Sequence, residues 1–92
     1  MKVLLFKPIA PVYHVVQPPL GLGYLARLLL DRGHGVTLWD AGRLRPTWED
    51  FARLVRQGGF DLAGVQVFTR DVPSAHRHLR LLRQESPSTL LL

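Results

Sequence analysis

Three short apolar runs, two of them leading into a stretch of helical periodicity and one into a capped helix, constrain this chain more than any other feature. The runs are Lys2-Val3-Leu4-Leu5-Phe6, Gly35-Val36-Thr37-Leu38-Trp39-Asp40 and Leu62-Ala63-Gly64-Val65-Gln66-Val67-Phe68. The first is continuous in the way of a strand buried on both faces of a parallel sheet. Between the first and second runs, Leu22, Leu25, Ala26 and Leu29 fall at i, i+3, i+4 and i+7, with Leu28 and Leu30 widening that face. This spacing predicts a helix over Leu20 to Arg32, closed by Gly33. Between the second and third, Thr47 and Asp50 stand at capping-box spacing, and Trp48, Phe51, Ala52 and Val55 repeat the helical pattern up to Gly58-Gly59. After the third run, Asp71 is placed to cap a helix that carries Pro73 in its first turn. Val72, Ala75, Leu79 and Leu82 would form its apolar stripe, and Pro87 would end it.

Strands joined by helices must be parallel, with right-handed crossovers. The expected fold is therefore α/β: a Rossmann-like or flavodoxin-like parallel sheet with helices on both faces. Gly64, inside the third run, allows a close backbone approach. The sequence finishes Ser88-Thr89-Leu90-Leu91-Leu92, which reads as the opening of a fourth strand. Residues 1–92 are thus expected to be the front part of one domain, truncated at the start of that strand. An unfinished apolar edge predicts self-association of the fragment.

Composition narrows the function classes. With 47% hydrophobic residues the chain reads as globular rather than disordered. It has no cysteine, which excludes disulfides, thiolate metal sites and cysteine nucleophiles within these residues and is compatible with a cytoplasmic location. No apolar run approaches the roughly twenty residues of a membrane span. Twelve basic residues against seven acidic ones raise nucleic-acid binding as a question. The arginines are scattered, however, and no recognition helix or set of stacking aromatics accompanies them, so solvated helix faces are the better account.

The candidate site is the junction Pro18-Pro19-Leu20-Gly21-Leu22-Gly23-Tyr24-Leu25-Ala26. The connection from Lys7 to Pro19 exceeds the usual two to six residues between strand and helix, and its prolines Pro8, Pro11, Pro18 and Pro19 forbid a regular helix. Open parallel sheets bind ligands at such carboxyl-end junctions. Gly21, Gly23 and Ala26 match the G-x-G-x-x-[GA] dinucleotide fingerprint, and Asp40 ends the next strand where a ribose-binding acid would stand. That fingerprint needs its first glycine to turn the chain directly off the strand, and here the long connection intervenes. The loop offers apolar and proline surface with few charges, suited to a broad and largely uncharged ligand. Close packing of the helix on the sheet is the structural alternative for the two glycines.

Asp40 could hydrogen-bond a ligand or cap the following turn. Thr69 could meet a ligand or satisfy the helix start together with Asp71 and Ser74. His14 has no second metal ligand at suitable spacing, and His34, His76 and His78 are assigned structural or surface roles. No serine–histidine–acid set, paired carboxylates or P-loop can be assembled, so no complete active site is expected in this chain.

The order of an apolar strand, a proline-rich loop, Pro18 to Ala26, then Gly33-His34-Gly35-Val36, Asp40, Thr69 and Val72-Pro73-Ser74-Ala75 resembles the N-terminal cobalamin-binding domain of cobalamin-dependent radical SAM enzymes. That resemblance implies a Rossmann-like domain holding cobalamin at the carboxyl edge of its sheet, with cofactor contacts carried over to Pro18, Pro19, Leu20, Gly21, Gly23, Asp40 and Thr69. It implies further that S-adenosylmethionine and a 4Fe–4S cluster belong to a downstream radical SAM barrel, because CxxxCxxC cannot occur here. The D-x-H-x-x-G motif of methionine-synthase-type domains is absent: Asp31-Arg32-Gly33-His34-Gly35 has a different spacing. Two alternatives stand beside this reading. One is a non-catalytic flavodoxin-like interaction or regulatory module, not a receiver domain, since the acidic pair near the first strand is missing. The other is a dinucleotide-binding domain.

Overall fold

The computed structural model describes residues 1–9, 20–67 and 71–91. In chain order the elements are β1 (Lys2–Lys7), α1 (Leu20–Asp31), β2 (Gly35–Asp40), α2 (Ala41–Leu44), α3 (Trp48–Gly58), β3 (Leu62–Val65), α4 (Val72–Glu85) and β4 (Leu90–Leu91). The four strands form one parallel sheet in the order β2-β1-β3-β4. The expected α/β fold is present.

The central position of β1 explains its composition. Val3, Leu4, Leu5 and Phe6 are all buried, because alternate side chains leave a strand on opposite faces and both faces are covered here. Leu4 and Phe6 join Trp39, Phe51, Val55, Ala63 and Leu82 in one core, beneath α3 and α4. Val3 and Leu5 join Leu22 and Ala26 of α1 in a second, smaller core. Gly64 lies opposite Leu5 in the register, where an added Cβ would stand 3.1 Å from Leu5 Cδ2. The close approach at that glycine is thus by a side chain of the neighbouring strand.

Local signals set most helix ends. At the end of α1 the Gly33 N–H donates to Leu30 O (3.0 Å) and the His34 N–H to Leu29 O (3.1 Å), with Gly33 at φ 86°. This pair of bonds closes the helix with a left-handed glycine. At the start of α3 the Asp50 N–H donates to Thr47 Oγ1 (3.1 Å), and the Thr47 N–H donates to Asp50 Oδ2 (2.8 Å). The capping box therefore forms with aspartate in place of the longer acid, and those bonds hold the Asp50 carboxyl below its ordinary pKa.

Four expectations need correction. Leu25, Leu28 and Leu30 are exposed, so the buried line of α1 is confined to Leu22, Ala26 and, in part, Leu29. No second helix among the described residues flanks α1 on its face of the sheet, and only a narrow strip of it finds a partner. In α4 the buried residues are Ala75, His78 and Leu82, while Val72 is 54% exposed and Leu79 only partly buried. Because α4 lies against α3 as well as the sheet, its inward line runs through His78. Asp71 takes the N-cap position of α4, but its side chain makes no capping bond and its backbone is already helical (φ −90°, ψ −5°). Finally, β3 ends at Val65, although the Gln66 N–H still donates to Phe6 O (3.0 Å), and Phe68 lies outside the described residues.

Candidate functional site

The strand order creates a topological switch. The chain passes from β1 through α1 to β2 on one side, then crosses back under the sheet through α3 to β3 on the other side of β1. The helices that follow β1 and β3, α1 and α4, lie on opposite faces, so the carboxyl ends of these two strands form the switch point at which open parallel sheets bind ligands. Lys7, Pro8 and Ile9 stand at the end of β1, Gly21 and Gly23 in the first turn of α1, Asp40 at the end of β2 and Gln66 at the end of β3.

Of the residues expected at the site, Pro18, Pro19 and Thr69 lie outside the described residues, as does His14. Leu20 is the first residue of α1. Gly21 and Gly23 are both helical, so neither makes the strand-to-helix turn that a dinucleotide fingerprint requires. Among the described residues, nothing lies within 4 Å of where a Cβ would stand on either glycine. Close packing against the described part of the sheet therefore does not account for them.

Asp40 is a cap. Its Oδ1 accepts the Gly42 N–H at 3.0 Å and starts the short α2, an element that lacks enough length for periodicity to reveal it. Lys7 stands opposite Asp40 in the strand register. A Cβ on Gly42 would stand 3.2 Å from Asp40 Oδ1 and 3.6 Å from Lys7 Nζ, so all three residues occupy one corner of the edge. At the opposite, central position, Gln66 Oε1 is buried with no hydrogen-bond partner among the described residues. A buried acceptor without a donor carries a cost on the order of 1–3 kcal/mol, which a donor from outside would remove. Nothing in the apolar run around Gln66 marks it in the sequence as a site residue.

His78, assigned a structural or surface role, takes the structural one. It is fully buried, with ring centroids 4.3 Å from Phe51, 4.6 Å from Trp48, 5.0 Å from Phe6 and 5.8 Å from Trp39. Burial first, and the neighbouring Arg77 guanidinium second, push its pKa down to about 4, so the ring is neutral at pH 7. Arg77 itself stacks on Trp48, its guanidinium 4.1 Å from the ring centroid. No group of three or more histidine and acidic side chains is placed to hold a metal ion among the described residues. No helix there is long and apolar enough to cross a membrane.

Fold and edge together define a doubly wound parallel sheet with the strand order of flavodoxin-like domains, its switch point lying between β1 and β3. No protein-family model, no curated protein and no solved structure matches this chain.

Proposed function

We propose that this chain is the front part of a cobalamin-binding domain of a cytoplasmic radical SAM enzyme, holding the cofactor at the carboxyl edge and not catalytic by itself. The observation that supports the reading is the pairing, at the carboxyl edge, of the buried Gln66 Oε1, which has no hydrogen-bond partner among the described residues, with Gly21 and Gly23, whose Cβ positions meet no described atom within 4 Å. The edge residues fit such a group. The rim of a corrin is broad, uncharged and bears amide N–H donors, one of which would satisfy Gln66, while the glycines present no side chain to its flat face. Leu20, Gly21 and Gly23 would line the approach together with Pro18 and Pro19, and Asp40 and Thr69 would flank it from the neighbouring strand ends. When bound, cobalamin supplies methyl-carrying or related radical chemistry. S-adenosylmethionine and the 4Fe–4S cluster would be held by a downstream barrel, since this chain has no cysteine.

Titration with hydroxocobalamin, followed by calorimetry and by the visible spectrum, tests the reading. Binding by the chain, or by the protein continued through its downstream region, is the expected result, together with protection of the Lys7 to Gly23 amides. Absence of binding by both overturns it.

A second reading, a non-catalytic interaction module, is favoured by the apolar groove between α1 and β3. Val3, Leu5, Leu22, Leu25, Leu62 and Val65 line it. Self-association through such apolar surface, or through the exposed Leu90, would appear as a concentration-dependent mass. Protection of the edge amides by a nicotinamide nucleotide would instead favour dinucleotide binding, which the helical placement of both glycines argues against.

A further inference from the structure

The backbone of Ile9, two residues past the end of β1, is held at both of its polar groups by α4. Its N–H donates to His78 Nε2 at 2.9 Å, and its carbonyl accepts from Ser74 Oγ. Ser74 and His78 are four residues apart on the helix, hence neighbours on one face, and together they grip a single residue. Accepting through Nε2 requires that nitrogen to be unprotonated, so the neutral ring carries its proton on Nδ1. That Nδ1 is buried with no hydrogen-bond partner among the described residues, and the ring meets Phe51 edge-on at 87°. An imidazolium has no acceptor atom, so the Ile9 N–H would then face another donor.

We propose that Ser74 and His78 form a latch that fixes Ile9 at the carboxyl end of β1 and lets it go when the imidazole takes up a proton. The described surroundings of the ring are aromatic and apolar. Phe6 from β1, Trp39 from β2, and Trp48 and Phe51 from α3 face it, and none of them titrates or carries charge. Ile9 meets the ring through its backbone N–H, and among the described residues Arg77, on α4 itself, is the one charge that acts on the ring. No carboxylate among the described residues acts to stabilise an imidazolium there, and the depressed pKa keeps the latch closed at neutral pH.

The test is hydrogen exchange at the Ile9 amide, together with the imidazole nitrogen resonances of His78, between pH 7 and pH 3.5. At pH 7 the wild-type ring should show the Nδ1–H tautomer. Replacing His78→Phe should speed Ile9 exchange about tenfold, the effect of losing one hydrogen bond of ordinary strength. In wild type, Ile9 protection should fall in a step near pH 4 while Leu82 and Phe51 stay protected. His78→Gln, whose amide oxygen accepts but does not titrate, should keep the protection and abolish the step. Ser74→Ala, a milder change, should weaken protection and leave the step in place. A proton on Nε2 in wild type overturns the latch, as does an Ile9 profile without a step. So does a step that coincides with loss of protection across β1 and α4, which is ordinary acid unfolding.

Discussion

The two faces of the sheet are built differently. One is closed by α3 and α4 over a core that includes Phe6, Trp39, Phe51, Val55 and Leu82. Among the described residues the other carries α1 as its one helix, with Leu22 and Ala26 buried, Leu25 and Leu28 exposed, and an apolar groove alongside. A parallel sheet needs cover on both sides, and among the described residues the closed face buries the larger core and so supplies most of the folding energy.

The sharpest way to break this contrast is to truncate one side chain on each side of it. Phe51→Ala, fully buried between Phe6, Trp39 and His78, should cost about 3–5 kcal/mol. Leu25→Ala, at 43% exposure, should cost less than about 1 kcal/mol. Urea unfolding followed by circular dichroism measures both, and comparable losses would show that the α1 face contributes as much to folding as the other.

Acid should act on the closed face alone. The folded-state pKa of His78 lies below its ordinary value of 6.5, so the folded form disfavours the proton. The stability this contributes is full above pH 6.5 and is lost as pH falls to about 4, where the loss reaches about 3 kcal/mol. Urea midpoints measured across that window should fall in wild type, and this component should be missing in His78→Phe.

The smallest effects should come from the edge. Gly21→Ala and Gly23→Ala replace helical glycines whose added Cβ would meet no described atom within 4 Å, so each should stabilise the chain by up to about 1 kcal/mol. Under the proposed function the same methyls should weaken cobalamin binding, giving stability and affinity changes of opposite sign. Thermal melts and calorimetry on the same variants read the two signs. A binding loss without a gain in stability would mean that the glycines serve the fold instead.

Much of the architecture is legible in the residues themselves. The second strand spans Gly35 to Asp40 as its apolar run indicates, Thr47 and Asp50 form their box, and Gly33 and Gly59 take the left-handed turns that end α1 and α3. These are short-range effects, decided within one helical turn. The line of burial along α4 is different: Val72 is apolar and exposed, whereas His78 is polar and at the centre of an aromatic cluster. Spacing alone ranks Val72 above His78, because it takes no account of the Ile9 N–H that satisfies the imidazole from a distant part of the chain. At the edge, Asp40 is foreseeable as a strand-end acid, and its capping bond to Gly42 belongs to that local logic. Gln66 is not foreseeable, since a lone glutamine in an apolar run carries no periodic or capping signal.

The sequence by itself therefore determined the alternation of strands with α1, α3 and α4, the caps at Gly33, Gly59 and Thr47–Asp50, and, through the handedness of βα crossovers, a parallel sheet. Only the tertiary structure decided that α1 is the one helix on its face among the described residues, that His78 is buried with its Nε2 accepting from Ile9, and that Gln66 Oε1 is buried without a partner among those residues. The physical reason is that capping and periodicity act over three or four neighbouring residues. Burial and hydrogen-bond satisfaction depend on segments such as Phe6 and His78, which are far apart in the chain and adjacent in space.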